Sequence, residues 1–308
     1  MKQLFIIAFL LTFLNASKVP QLDLMISQMI LTGFSGKVDG DKWIEQIKND
    51  IEFSRISGVV VLERNIENQT QLKTLITSLK KSNKSSLPLF MAMNDTNNLA
   101  LNETLANASL RYEKLANTLK DAGINLLFAP SFDLDGENEE IVLAYGSVFI
   151  DALHKAKIFS VAKHFPGVPN LWRFEAMKPY YSLIKHDKID MIMPSQSVFE
   201  ALDKDLVALH SQKIIRDILR IRMGYNGVII SDDMLSKTLQ ERHTLAQNIT
   251  KAINSGVDIL FFSSYFYNNS NIPKVVREII YKAIQEGDLS EEQIARAYNR
   301  IKKLKEGL

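Results

Sequence analysis

The 308-residue sequence contains no cysteine. That excludes disulfides, thiol nucleophiles, iron–sulfur clusters and cysteine-based zinc sites together, and it leaves the redox compartment open. The chain also lacks an excess of charge of one sign: 37 Lys and Arg against 35 Asp and Glu give a net charge of +2. There is no basic block and no basic stripe interleaved with aromatics, so no nucleic-acid partner is expected. With 13 Gly and 8 Pro the chain is neither collagen-like nor dominated by linkers. No repeat or low-complexity tract is visible, and no spacing of His, Asp and Glu reads as a metal site.

Long apolar runs are scarce too. The single marked one lies at the start, where Lys2 precedes an apolar stretch from Leu4 to Leu14 broken only by Thr12, followed by Asn15, Ala16 and Ser17. A charged start, a short apolar run and a small-residue exit predict a signal peptide over residues 1–17. The run is shorter than the ~20 residues a spanning helix needs, and no cysteine follows it to carry a lipid. The expectation is an exported protein, periplasmic or secreted, with no transmembrane anchor after cleavage. The remainder, 18–308, reads as one domain and a monomer.

What is present is an α/β alternation. Short apolar runs occur at 58–62, 89–93, 125–129, 158–162, 189–193, 227–231 and 257–262, each continuous rather than alternating, as expected of parallel strands buried on both faces. Helical stretches separate them at roughly 69–82, 103–122, 138–156, 211–223 and 238–255, with Gly123, Gly224 and Gly256 where helix ends favour a left-handed residue. Two further helices follow Pro273, the second opened by the capping-box pattern Ser290-Glu-Glu-Gln293. A Gly-rich phosphate-binding turn is missing after the first run, which argues against an open doubly wound sheet. The predicted fold is a (β/α)8-like TIM barrel with one irregular strand, or with its eighth strand supplied around Met29–Phe34.

In such barrels the active site lies at the C-terminal ends of the strands. Those ends read Glu63-Arg64-Asn65, Asn94-Asp95-Thr96-Asn97-Asn98, Pro130-Ser131-Phe132-Asp133, Lys163-His164-Phe165-Pro166-Gly167, Pro194-Ser195-Gln196, Asp232-Asp233 and Ser263-Ser264. A polar rim with several carboxylates suits a hydroxyl-rich ligand and glycosidase chemistry. Asp232 is expected to point into the barrel mouth and Asp233 to cap the next helix. The other histidines, His154, His186, His210 and His243, are expected at the surface.

Ala162-Lys-His-Phe-Pro-Gly167 resembles the strand-four signature of glycoside hydrolase family 3, in its β-N-acetylglucosaminidase branch. Gly58-Val…Glu63-Arg-Asn-Ile66, Gly123-Ile-Asn-Leu-Leu-Phe-Ala-Pro130…Asp133, Asp190-Met-Ile-Met-Pro194 and Tyr225-Asn-Gly-Val-Ile-Ile-Ser-Asp-Asp-Met234 resemble other strands of that family, in order. The resemblance runs from about Gln28 to the end. It implies a barrel that removes β-linked N-acetylglucosamine with retention, using no metal or organic cofactor. Asp232 would be the nucleophile, and Lys163 and His164 would bind sugar hydroxyls, with Asn94, Asp95 and Asp133 alongside as binding residues. Cell-wall fragments or chito-oligosaccharides would be the carbohydrate substrates.

The departures are specific. The family's loop after strand four carries a His–Asp dyad as acid/base, whereas residues 168–177 here contain neither His nor Asp. Glu175 is the only carboxylate there and is the candidate acid/base. Asn94 stands where the family has an Asp, Gln196 where it has a His, and the Arg-Ser-Phe-Gly-type stretch after Asp133 is replaced by Leu134-Asp-Gly-Glu-Asn138. Trp172 in the altered loop is a candidate sugar-stacking residue or a packing anchor. Three readings follow: an exported hexosaminidase-like hydrolase with a rearranged acid/base, a catalytically impaired glycan-binding paralogue, or another chemistry such as transglycosylation or phosphorolysis on the same scaffold.

Overall fold

The computed structural model describes residues 21–94, 99–133, 137–169 and 174–308. The expected signal segment 1–17 lies outside them. Eight parallel strands close into a barrel: β1 Ile30–Gly33, β2 Gly58–Val61, β3 Phe90–Asn94, β4 Leu126–Phe128, β5 Phe159–Phe165, β6 Met191–Pro194, β9 Val228–Asp233 and β10 Ile259–Phe262. The hairpin β7 Val198–Phe199 and β8 Asp203–Val207 branches off after β6, and a second, β11 Phe266–Tyr267 with β12 Ser270–Asn271, follows β10.

β1 is the eighth strand, and it falls where the Met29–Phe34 alternative put it. It seals the barrel by pairing Leu31 with Gly58 on one side and Ile30 with Leu260 on the other. All four of its residues are buried. Every barrel strand carries apolar side chains to both the interior and the helical layer, which is why the runs do not alternate. Inside, Phe128 of β4 meets Phe261 of β10 edge-on at 5.3 Å. These strands are not neighbours, so the pair packs across the barrel.

The helices Gln69–Lys81, Leu105–Ala122 and Glu139–Lys155 begin at Asn68, Thr104 and Asn138, whose side chains accept from backbone amides of the first turn. Gly123, Gly224 and Gly256 have φ of +90°, +71° and +113°, the left-handed conformation that ends a helix. The stretch expected as one helix over 238–255 is two, Lys237–Gln240 and Leu245–Ser255, because Thr244 and Gln247 form a capping box that starts a new helix. Residues 213–222 form a π-helix rather than an α-helix, with Met223 N donating to Ile218 O. The last two helices, Ile272–Glu286 and Glu291–Lys305, stand as expected, the second opened by the Ser290 box.

Helices at 21–28, Lys42–Glu52 and Lys178–Lys185 are not among those expected from the sequence. His210 is a correction: it is 3% exposed rather than at the surface, and it continues the buried run Val207–Leu209 in a turn packed against the Leu245–Ser255 helix. Burial pushes its imidazole down to about 4. Among the described residues no helix is long and apolar enough to cross a membrane.

The C-terminal helix reaches the N-terminal end of the barrel. Its last turn inserts Lys305, 1% exposed, beneath β1, β2 and β3. The ammonium donates to Gln28 Oε1 and to Ser57 O, both at 2.8 Å, and lies 4.6 Å from the centre of the Phe90 ring.

Candidate active site

The polar rim forms at the C-terminal strand ends, and three consecutive strands build one side of it. Asn94 ends β3, Asp133 follows β4, and Lys163 and His164 lie near the end of β5. Adjacent strand residues ordinarily point to opposite faces. Here β5 shifts register against β6 between Lys163 and Phe165, and both side chains reach the rim. The Lys163–His164 and Phe165–Pro166 peptide bonds are cis.

Lys163 Nζ donates to Asn94 Oδ1 at 3.1 Å. His164 Nδ1 is hydrogen-bonded to Asp133 Oδ2, and the His164 amide donates to Asp133 Oδ1 at 3.1 Å. One carboxylate thus grips both the ring and the backbone of the histidine, which fixes the imidazole's direction. Ser131 Oγ donates to the same carboxylate at 3.2 Å. The His164 Nε2 faces across the barrel to Asp232 Oδ2, 3.8 Å away. That is too long for a hydrogen bond but within reach of charge.

The two aspartates at the end of β9 have different environments. Asp233 Oδ1 accepts from the Leu235 and Ser263 amides at 3.0 and 2.9 Å, so it braces the loops after β9 and β10. The helix that follows is capped by Ser236 instead, which corrects the expectation of Asp233 as a helix cap. Among the described residues Asp232 accepts a hydrogen bond from its neighbour's amide, Asp233 N at 2.7 Å. Its side chain is 37% exposed, leaving a carboxylate oxygen facing the open mouth.

Three further residues hold this rim together without having been counted as site residues in the sequence. Arg64 donates from Nε to Phe34 O at 2.8 Å and from Nη2 to Ser263 O at 2.5 Å, joining the loops after β1 and β10. Fully buried Asn65 donates to Phe34 O and Gly36 O at 3.1 and 3.0 Å while accepting from the Leu62 amide. Gln196 donates to Asp233 O at 2.9 Å and accepts from Ser236 Oγ at 2.5 Å. Gln196 therefore ties the end of β6 to the residue after Asp232. Beneath the rim, Phe132 and Phe165 each meet the buried Tyr180 edge-on at 5.1 Å.

The structure thus brings together Asn94, Asp133, Lys163, His164 and Asp232. Asp95 and Trp172 lie outside the described residues. Glu175 stands on the short helical turn Phe174–Met177 and lines an apolar pocket with Tyr181, Leu202, Ile218 and Met223. Among the described residues it makes no hydrogen bond or ion pair with the rim cluster. No group of three or more metal-ligating side chains occurs among the described residues.

With this geometry in hand, the chain can be set beside known proteins. Residues 17–171 and 169–304 match the glycosyl hydrolase family 3 N-terminal domain. The sequence is 24% identical to a β-hexosaminidase A of Pseudoalteromonas piscicida, the match covering 81% of this chain and 53% of that protein. It is 25% identical to a β-hexosaminidase of Haemophilus influenzae, over 67% of this chain and 72% of the relative. A β-N-acetylglucosaminidase structure from a Paenibacillus species superposes with a TM-score of 0.83 at 22% identity, covering 93% of this chain and 62% of its own. A β-N-acetylhexosaminidase structure from Beutenbergia cavernae gives 0.76 at 18%, covering 92% and 98%. The chain therefore spans about half the length of the first relative and nearly all of the last.

Proposed function

Because the chain belongs to glycosyl hydrolase family 3, we propose that it hydrolyses terminal β-linked N-acetylhexosamine with retention, through Asp232 as the nucleophile. The observation that carries this reading is the rim cluster. Asp232 offers an open carboxylate 3.8 Å from a histidine that Asp133 orients, with Lys163 and Asn94 beside it. In this reading Lys163 and His164 hold the sugar hydroxyls. The Asp232 carboxylate attacks the anomeric carbon as the aglycone oxygen leaves, and water then cleaves the glycosyl–aspartate ester. The names of the relatives, β-hexosaminidase and β-N-acetylglucosaminidase, support the amino-sugar substrate.

The first step also requires the aglycone to leave with a proton or as a stable anion. Residues 168–177 contain neither His nor Asp, and Glu175 lines an apolar pocket. We therefore expect efficient cleavage only of leaving groups that depart unprotonated. Poor leaving groups should turn over more slowly by the ~10²–10⁴-fold that acid catalysis contributes. We read residues 1–17 as an export signal, which would bring the protein to cell-wall or chito-oligosaccharide fragments. N-terminal sequencing of the mature protein from its native host tests that part, and a chain still beginning at Met1 refutes it.

The chemical test is intact-protein mass after incubation with a 5-fluoro N-acetylglucosaminyl donor bearing a dinitrophenyl leaving group, which departs without protonation. A one-sugar mass increase mapped to Asp232, and lost in Asp232→Ala, is the expected result. A folded protein that binds a chitin fragment but forms no adduct would overturn the enzyme reading in favour of a glycan-binding role.

A further inference from the structure

A basic cavity opens at the opposite, N-terminal face of the barrel. It has a volume of about 360 Å³ and lies between the π-helix, the end of the Leu245–Ser255 helix and the C-terminal helix. That size lies within the range of small-molecule sites. Arg216 and Arg220 enter it from the π-helix, Arg296 and Arg300 from the C-terminal helix, and Asp258 is the only carboxylate in its lining. The lining carries four guanidinium groups against one carboxylate, with Asp217 and Glu292 at its edge pairing two of them, which leaves one positive charge in surplus.

The four arginines divide into two kinds. Arg220 and Arg300 converge on the buried Asp258, donating to its two oxygens at 2.6 and 2.9 Å. Arg220 also donates to the Tyr225, Gly227 and Gly256 carbonyls. It is a fixed part of the floor, and one carboxylate serves two cations there. Arg300 uses a single nitrogen in this contact, and its side chain is 30% exposed, so donors remain to face the cavity. Arg216 and Arg296 stand at the walls. Their carboxylate partners, Asp217 and Glu292, lie on their own helices at 40% and 80% exposure. Such exposed pairs are weak and exchange readily for a better anion.

We propose that this cavity binds a multivalent phosphate anion, held by Arg216, Arg296 and the free donors of Arg300. A phosphate or pyrophosphate group presents several oxygens and two or more charges to planar, multidentate donors, enough to replace the exposed Asp217 and Glu292 as the partner of Arg216 and Arg296 together. The site is separate from the catalytic rim, and its test does not depend on glycosidase activity.

The experiment is isothermal titration of the full chain with inorganic pyrophosphate at low ionic strength, with citrate as a polyanion lacking phosphorus. The expected result is saturable pyrophosphate binding, stronger than citrate, that weakens with added salt. It should weaken by about ten-fold or more in Arg216→Gln/Arg296→Gln, since each lost charge-assisted pair is a strong contact. Circular dichroism confirms that the double variant is folded; if it is not, Arg296→Gln alone is used and should still weaken binding. Absence of saturable binding, equal binding of citrate, or binding unchanged in the folded variant would each overturn the proposal.

Discussion

Replacing Lys305 with Met should change how stability depends on pH more than it changes stability at any one pH. The wild-type ammonium sits beneath the barrel with a side-chain amide, a backbone carbonyl and a phenyl ring as neighbours, and no carboxylate pairs with it among the described residues. Burial pushes its pKa down from 10.5 to about 7. The unfolded chain therefore holds a proton that the folded chain has released throughout the interval between those values. Stability rises with pH wherever the unfolded state binds more protons. At about pH 7 the lysine then carries a penalty of about 4 kcal/mol, which falls to about 2 kcal/mol at about pH 9.

Lys305→Met removes the titration and keeps most of the side-chain volume, but it deprives Gln28 Oε1 and Ser57 O of their donor. Those losses cost about 1–3 kcal/mol each, so the net effect at neutral pH is small. The decisive quantity is the difference between the two proteins. Urea unfolding should show wild type gaining about 2 kcal/mol on the variant between about pH 7 and about pH 9. Parallel curves over that interval would refute the argument, because they would mean that Lys305 titrates alike in the folded and unfolded chains.

Asp133→Asn should lower kcat by about 10–100-fold, the equivalent of losing one charged hydrogen bond to His164; activity within two-fold of wild type would remove His164's orientation from the mechanism. Glu175→Gln should leave turnover of activated and unactivated substrates alike, since Glu175 is exposed and lines a pocket with none of the rim residues, and a loss confined to the unactivated substrate would restore Glu175 as the acid. His154 pairs with Asp190 at 2.7 Å, and that hydrogen bond raises its pKa above 6.5. The pair's stabilisation is therefore complete below about pH 6.5 and fades as pH rises through the raised value. Melting curves of wild type and His154→Gln should converge on that upward path, and a constant offset would contradict the assignment.

The barrel was legible because seven of its strands are buried on both faces and so appear as unbroken apolar runs. β1 is harder to see: it is four residues long, and residues 21–28 run into it as a helix without an intervening turn signal. The β11–β12 hairpin did have a local signal, since Asn268 and Asn269 both take positive φ and adjacent asparagines favour such turns. The strand ends also located the rim cluster. What spacing alone could not separate was Asp232 from Asp233. The two differ because the loop after β10 brings the Ser263 amide to Asp233 and to no atom of Asp232, a contact across 30 residues. His210 lay in an apolar stretch whose burial depends on the Leu245–Ser255 helix packing over it. Side-chain chemistry alone suggested the surface.

The pairing of β1 with β10 has a consequence for how the protein is made. Ile30–Thr32 meet Leu260–Phe262, 230 residues later. Until β10 leaves the ribosome, β1 has an unsatisfied strand edge, and the Arg64 link to Ser263 cannot form. Contacts of such sequence separation form slowly, and an open strand edge is a site for wrong pairing. The polar rim is therefore assembled only once β10 has emerged, and the nascent chain is open to wrong pairing in the interval before that seam closes.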